Sequence, residues 1–390
     1  MRKAVPLSTV PEQDRRNSDE MSGIDAFTRP STRHFMNAPQ HANQFDKIRI
    51  LAALGVIFSH HFNLAGMQGP FWLENRWLNW AFMGGVSVMV FLIISGYLIT
   101  LSWYRKPRLA PYLWSRFLRI WPGMLGSVLI CIFVLGLVFT NLPAKEFLGH
   151  DATRQFLLYN LSLFRDYADL PGVFMNQPYK QVMNGVYWTI PMEFMCYLIL
   201  AALGVAGVMR HKWLATALAA IYIATFLVFG NYDFTGKIHH WIEYPAYFAA
   251  GSLIAVHNEW FMRNSKRLVM VLAPLLLIAY FLTPYQATVR IFLMPLLVVF
   301  IGNLPATENW FTRMGDPSYG IYLYGFPLAQ SVIAVFPQLN FWLSMGLSMT
   351  LAITAGYLSW SLLESRALRL KALFSDSPLK DARTANISRP

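Results

Sequence analysis

Apolar residues in this chain come in runs of about twenty, broken by short polar connections, from residue 45 to the middle 360s. Ten such runs can be drawn: 46–66, 83–102, 121–140, 186–207, 213–230, 241–257, 267–283, 289–304, 318–336 and 341–363. Stretches of that length fit helices that cross a bilayer. The pattern predicts an all-α integral membrane protein, a bundle of about ten transmembrane helices. Residues 1–44 have no apolar core and read as a disordered cytoplasmic tail. Residues 45–366 then form the transmembrane domain, and 367–390 a basic cytoplasmic tail. The longest connection, about 141–185, mixes charges with aromatics and predicts a partly ordered external cap.

Composition supports the membrane reading. Only 13% of the 390 residues are charged and 55% are hydrophobic, where a soluble domain carries about 25% charged residues. The formal charge of +12 does not point to nucleic acid, because the basic residues flank the apolar runs. With ten spans and both termini inside, 25 of the 32 Lys and Arg residues fall on the cytoplasmic side. That is the positive-inside bias, and it predicts a multi-pass protein of the inner membrane. Cys131 and Cys196 both lie within apolar runs and read as buried small hydrophobes. No metal-ligand spacing occurs, so no metal site is expected.

Chemistry concentrates where charge interrupts apolar sequence. Phe45 to Gly66, FDKIRILAALGVIFSHHFNLAG, begins with Asp46, Lys47 and Arg49 and meets His60 and His61. Arg49 and His60 share a helical face, separated by roughly 16 Å of rise. This suits a long substrate with an anionic head and a reactive tail; the plain alternative is a basic anchor with interfacial histidines. Asp46 is placed to orient the Arg49 guanidinium. Ser95, in the second run, can bond a carbonyl one turn back or a ligand. Arg116 and Arg119 lie at i and i+3 on an inner-surface helix predicted to end at Pro122. Two guanidiniums on one face suit phosphate, or else lipid headgroups. Glu193 in WTIPMEFMCY sits at a depth similar to His60, which suggests a base and its orienter, or a structural ion pair. Pro191 is expected to kink that helix. Asp316 or Ser318 can cap the ninth run. Glu364 is expected to pair with Arg366 or Arg369.

Taken in order, these motifs resemble the membrane-bound acyltransferase-3 family, the O-acetylases of O-antigen and exopolysaccharide. The family's opening acid, Arg and His correspond to Asp46, Arg49 and His60. Its Ser-Gly-aromatic second span matches Ser95, Gly96 and Tyr97. Its paired arginines match Arg116 and Arg119, and its Trp, Glu and Tyr element matches Trp188, Glu193 and Tyr197. SYGIYLYGFPL and LLESRALRL resemble its late segments. Two positions depart: Gly325 stands where many members have His, and Arg366 where many have Pro.

The resemblance implies acyl transfer from acyl-CoA, acetyl-CoA above all, to a hydroxyl of an envelope or exported carbohydrate or glycolipid. Arg49, Arg116, Arg119 and Ser95 would bind the donor. His60 would act as general base or transient acyl carrier, with Glu193 orienting or charge-balancing it. Asp46, Trp188 and Tyr197 would orient and support. Either role needs neutral imidazole, so activity is expected to fall at acid pH. No permanently bound cofactor is implied. A rival reading from another class is a proton-coupled transporter or flippase, since a buried His and Glu suit a carrier as well. An acyltransferase acting on a small glycosylated metabolite is a third.

Overall fold

The protein is described by a computed structural model that covers residues 43–67, 83–229, 237–283, 285–306 and 315–374. Most of the expected N-terminal tail and the end of the C-terminal one, 375–390, lie outside the described residues. Within them the chain is helical, with two isolated β-bridges, Thr140 to Val173 and Asp169 to Val182, in the long connection.

Each predicted run coincides with a helix. In chain order they are α1 (Phe45–Leu64), α2 (Met83–Arg105), α3 (Leu109–Ile130), α4 (Ala144–Gly149), α5 (Asp151–Ser162), α6 (Thr189–Val205), α7 (Lys212–Phe229), α8 (Lys237–Val256), α9 (Asn258–Leu282), α10 (Gln286–Gly302), α11 (Ser318–Val335) and α12 (Phe341–Ser359). Among the described residues four helical stretches are long and apolar enough, by length and composition, to cross a membrane: Met83–Arg105, Leu109–Phe139, Asn258–Leu282 and Phe341–Leu373.

Local prolines behave differently from the expectation. The arginine-bearing helix does not end at Pro122; α3 runs through it, and a π-helical turn, Cys131–Gly136, carries it on to Phe139. Proline deletes one hydrogen bond, whereas ending a helix inside an apolar layer would leave several groups unpaired, so the helix continues. Pro191 lies in the first turn of α6, where its missing N–H would have had no helical partner, and no kink is needed. The connection 141–185 holds α4 and α5 and buries Phe147, Phe156, Val173 and Met183.

The hub is α2. It packs against α8 most extensively and also against α1, α10 and α6. Gly96 and Gly251 allow the α2–α8 contact. A Cβ on Gly96 would fall 2.1 Å from the Phe248 carbonyl oxygen, and one on Gly251 would fall 2.3 Å from that of Ile93. Ser252 Oγ donates to the Gly96 carbonyl at 3.2 Å across the same seam. With lipid outside, such close backbone packing replaces the hydrophobic drive that joins helices in water.

We expect Gly96→Ala to destabilise the fold by about 1–3 kcal/mol, because the obstacle is backbone and a whole helix must move. Gly346→Ala, on α12 with open space around it, should be neutral or slightly stabilising through helix propensity. Thermal unfolding of both variants in detergent checks the difference in sign.

Candidate functional site

A cavity of about 410 Å³ lies among α1, α2, α3, α6, α11 and the helical extension beyond α12. That volume is in the range of small-molecule sites. Eight of the residues singled out from sequence line it: Arg49, Ser95, Arg116, Arg119, Glu193, Tyr197, Asp316 and Ser318. The three arginines come from α1 and α3, which are far apart in the chain, so their meeting is a product of the fold.

Their partners were only half visible in the sequence. Arg49 pairs with Asp46 at 3.4 Å, the expected orienting contact. It also donates to Asp316 at 3.2 Å, and Arg119 donates to the same carboxylate oxygen. Asp316 accepts from the Ser318 backbone N–H at 3.1 Å through its other oxygen, so it caps α11 while it joins α1 to α3. Glu364 does not pair with Arg366 or Arg369. It lies 3.8 Å from Arg119 and accepts from Ser359 Oγ at 2.9 Å. The π-helical turn Trp360–Glu364 brings this about: it alters the register of α12 and leaves Glu364 fully buried, where a guanidinium must answer it. The Arg119 guanidinium also lies over the Trp360 ring, 5.8 Å from its centre.

Arg116 is different. It lies over Tyr112 at 5.8 Å, has no acidic partner among the described residues, and its Nε is buried without a hydrogen bond.

In the cavity wall, Ser95 does not bond a carbonyl one turn back. Its Oγ donates to Glu193 Oε1 at 2.7 Å, and the Tyr197 hydroxyl donates to the same oxygen. Tyr197 sits one turn after Glu193 on α6, the spacing that lets the two meet. The carboxylate is therefore held by two hydroxyls from α2 and α6.

The hydroxyls that hold Glu193 come from α2 and α6. α6 packs on α2, α3 and α8, whereas α1, which carries His60, packs on α2, α11 and α12. His60 lies edge-on to Phe326, ring centres 5.3 Å apart, and is not among the cavity-lining residues. Its position relative to the cavity follows from α11. Ser318, Tyr319 and Tyr322 line the cavity, and Phe326 lies one turn past Tyr322. His60 thus flanks the helix roughly 6 Å beyond the last α11 residue of the cavity, on the side away from the arginines.

Gly325 has its own physical reason. A Cβ there would come within 2.4 Å of Ile57 on α1, so a histidine does not fit. Trp188 packs against the tilted ring of His240 and edge-on to Tyr244, with ring centres 5.2 and 5.4 Å away, which anchors the start of α6 to α8. Among the described residues no cluster of His, Cys, Asp or Glu could hold a metal ion. Both cysteines are free and buried.

Comparison with known proteins gives the family. The family model described as "Acyltransferase domain" matches residues 43–363. A protein of Shigella phage Sf6 named "O-acetyl transferase" is 29% identical over 343 residues, which cover 84% of this chain and 96% of the phage protein. "Nodulation protein 10" of Rhizobium leguminosarum bv. viciae is 27% identical over 368 residues, covering 88% of this chain and 96% of that protein. No solved structure matches the chain. With the family model covering nearly all of the described helices, the chain belongs to the membrane acyltransferase-3 family and is an acyltransferase.

Proposed function

We propose that the protein is a transmembrane O-acyltransferase of the inner membrane. It takes an acyl group, acetyl by preference, from cytoplasmic acetyl-CoA and delivers it to a hydroxyl of an envelope or exported carbohydrate. The name of the phage relative supports O-acetyl transfer. The observation that carries the reading is a cavity lined by Arg49, Arg116 and Arg119, with His60 against Phe326 one turn past the cavity-lining Tyr322 of α11.

The donor would enter thioester first. Its phosphates would stop at the arginine end, and the pantetheine arm would cross the roughly 16 Å from Arg49 to the level of His60. His60 would take the proton of the acceptor hydroxyl as the oxygen attacks the thioester carbonyl. The carbon–sulfur bond then breaks, the ester leaves with the acceptor, and the coenzyme A thiolate takes up a proton. Glu193, fixed by Ser95 and Tyr197, would present a negative charge beside the thioester arm rather than orient the imidazole.

In this reading the ten helices that match the ten apolar runs all span the bilayer, with both termini in the cytoplasm. The placement of Lys and Arg in the sequence supports that topology.

The test uses the full chain in sealed vesicles with acetyl-CoA added on one face and a carbohydrate acceptor on the other. Transfer of label to the acceptor, with one coenzyme A thiol released per ester formed, is the expected result. Uptake of solute without thioester consumption would make the protein a carrier instead. Transfer that requires donor and acceptor on the same face would remove the transmembrane step.

A further inference from the structure

Five cations line the cavity: Arg49, Arg105, Arg116, Arg119 and Lys371. Two of them are answered inside the protein, Arg49 by Asp46 and Asp316, and Arg119 by Asp316 and Glu364. Arg105, Arg116 and Lys371 have no carboxylate partner among the described residues. They come from three elements: the last residue of α2, the middle of α3, and the short 3₁₀ helix Leu370–Phe374 that follows α12.

That last element is not a loose tail. Trp114 Nε1 donates to the Leu370 carbonyl at 3.1 Å, and Leu368 joins Lys371 in the cavity wall. The bond pins the extension to α3 next to Arg116. Three like charges brought to one concavity repel each other, and the arrangement is relieved by an anion that carries more than one charge. The buried, unbonded Nε of Arg116 points the same way.

We infer that Lys371 and Arg105 complete, with Arg116, an anion site at the mouth of the cavity that holds the 3′-phosphate of the donor. This rests on the donor reading above. The order of entry decides which phosphate is involved. If the thioester goes in first, the adenosine end of coenzyme A remains at the mouth. Lys371 and Arg105 are exposed and Arg116 is only half-buried, so the two outer cations meet the group that enters last. The terminal phosphate monoester is that group, and a charge-assisted contact to it is worth more than an ordinary surface pair.

The experiment is equilibrium binding of coenzyme A and of dephospho-coenzyme A to the full chain in phosphatidylcholine nanodiscs. Lys371→Ala should weaken coenzyme A binding about fivefold and change dephospho-coenzyme A binding less than twofold, and Lys371→Arg should restore the difference. Equal weakening of both ligands would make Lys371 a packing residue and overturn the inference. So would unchanged affinity for coenzyme A, which would leave the donor reading standing. Wild-type protein that binds no coenzyme A would overturn the donor reading itself. The discs also separate the two sources of phosphate. If adding phosphatidylglycerol lowers wild-type affinity for coenzyme A and Lys371→Ala abolishes that effect, the site belongs to a lipid headgroup and the inference fails.

Discussion

His60→Ala is expected to remove at least about two orders of magnitude from acyl transfer, the usual scale for loss of a general base. The protein should still insert. His60 makes its ring contact with Phe326 at the α1–α11 seam, where a smaller residue leaves a modest gap rather than an unpaired charge. His60→Asn and His60→Gln sharpen the test, since both keep a polar planar group but supply no base. If loss of packing were the cause, these two would recover activity; if proton transfer is the cause, all three variants fail alike. The measurement is acetyl transfer per mole of inserted protein in vesicles. Transfer within twofold of wild type would dismiss His60 as the base.

The helices were legible because lipid makes the pattern simple. A backbone in hydrocarbon must satisfy its own hydrogen bonds, so runs of about twenty apolar residues mean helices whatever the tertiary contacts. The arginines of the site were legible for a related reason, since charge set within or beside apolar sequence stands out. What sequence could not reveal was who answers them. Asp316 looks like a cap for α11, and it is one, yet its other oxygen is shared between Arg49 and Arg119. Those residues lie 267 and 197 positions away, and no local spacing reports on that distance.

Glu364 misled for the same reason. Its nearest arginines in sequence are Arg366 and Arg369, but the π-helical turn points it at α3. A signal existed in both cases: an acid at the edge of an apolar helix needs a partner, and Arg49 and Arg119, at the edges of other apolar runs, offered one. The similar depth of Glu193 and His60 in the sequence did not reveal that Ser95 and Tyr197 hold the carboxylate. Depth is one coordinate, and the face that each helix presents is set by neighbours. Here α2, packed against both α1 and α6, supplies Ser95 to Glu193. Lys371 escaped notice because it was counted as topology, one positive charge in a basic tail, when the helix in fact continues and carries it to the cavity.

Asp316→Asn should be the most destabilising single change at the site. Its side chain is 10% exposed and neutralises Arg49 and Arg119 at once. Asparagine keeps an oxygen that can still accept from the Ser318 N–H, so the cap on α11 survives and only the charge is lost. Removing one member of a buried ionic cluster leaves the others uncompensated, at a cost of about 3–5 kcal/mol. Arg119 retains Glu364 at 3.8 Å, and Arg49 retains Asp46, whose side chain is half exposed and therefore a weaker answer. Because the penalty comes from stranded charge, it should shrink when the stranded partner goes too. Asp316→Asn combined with Arg119→Gln should lose less stability than the two single variants added together. Midpoints of thermal unfolding in detergent for the four proteins of this cycle decide it. Strict additivity would mean that the charge of Asp316 is not coupled to that of Arg119, and that the arginine end of the cavity is held together by packing instead of by this carboxylate.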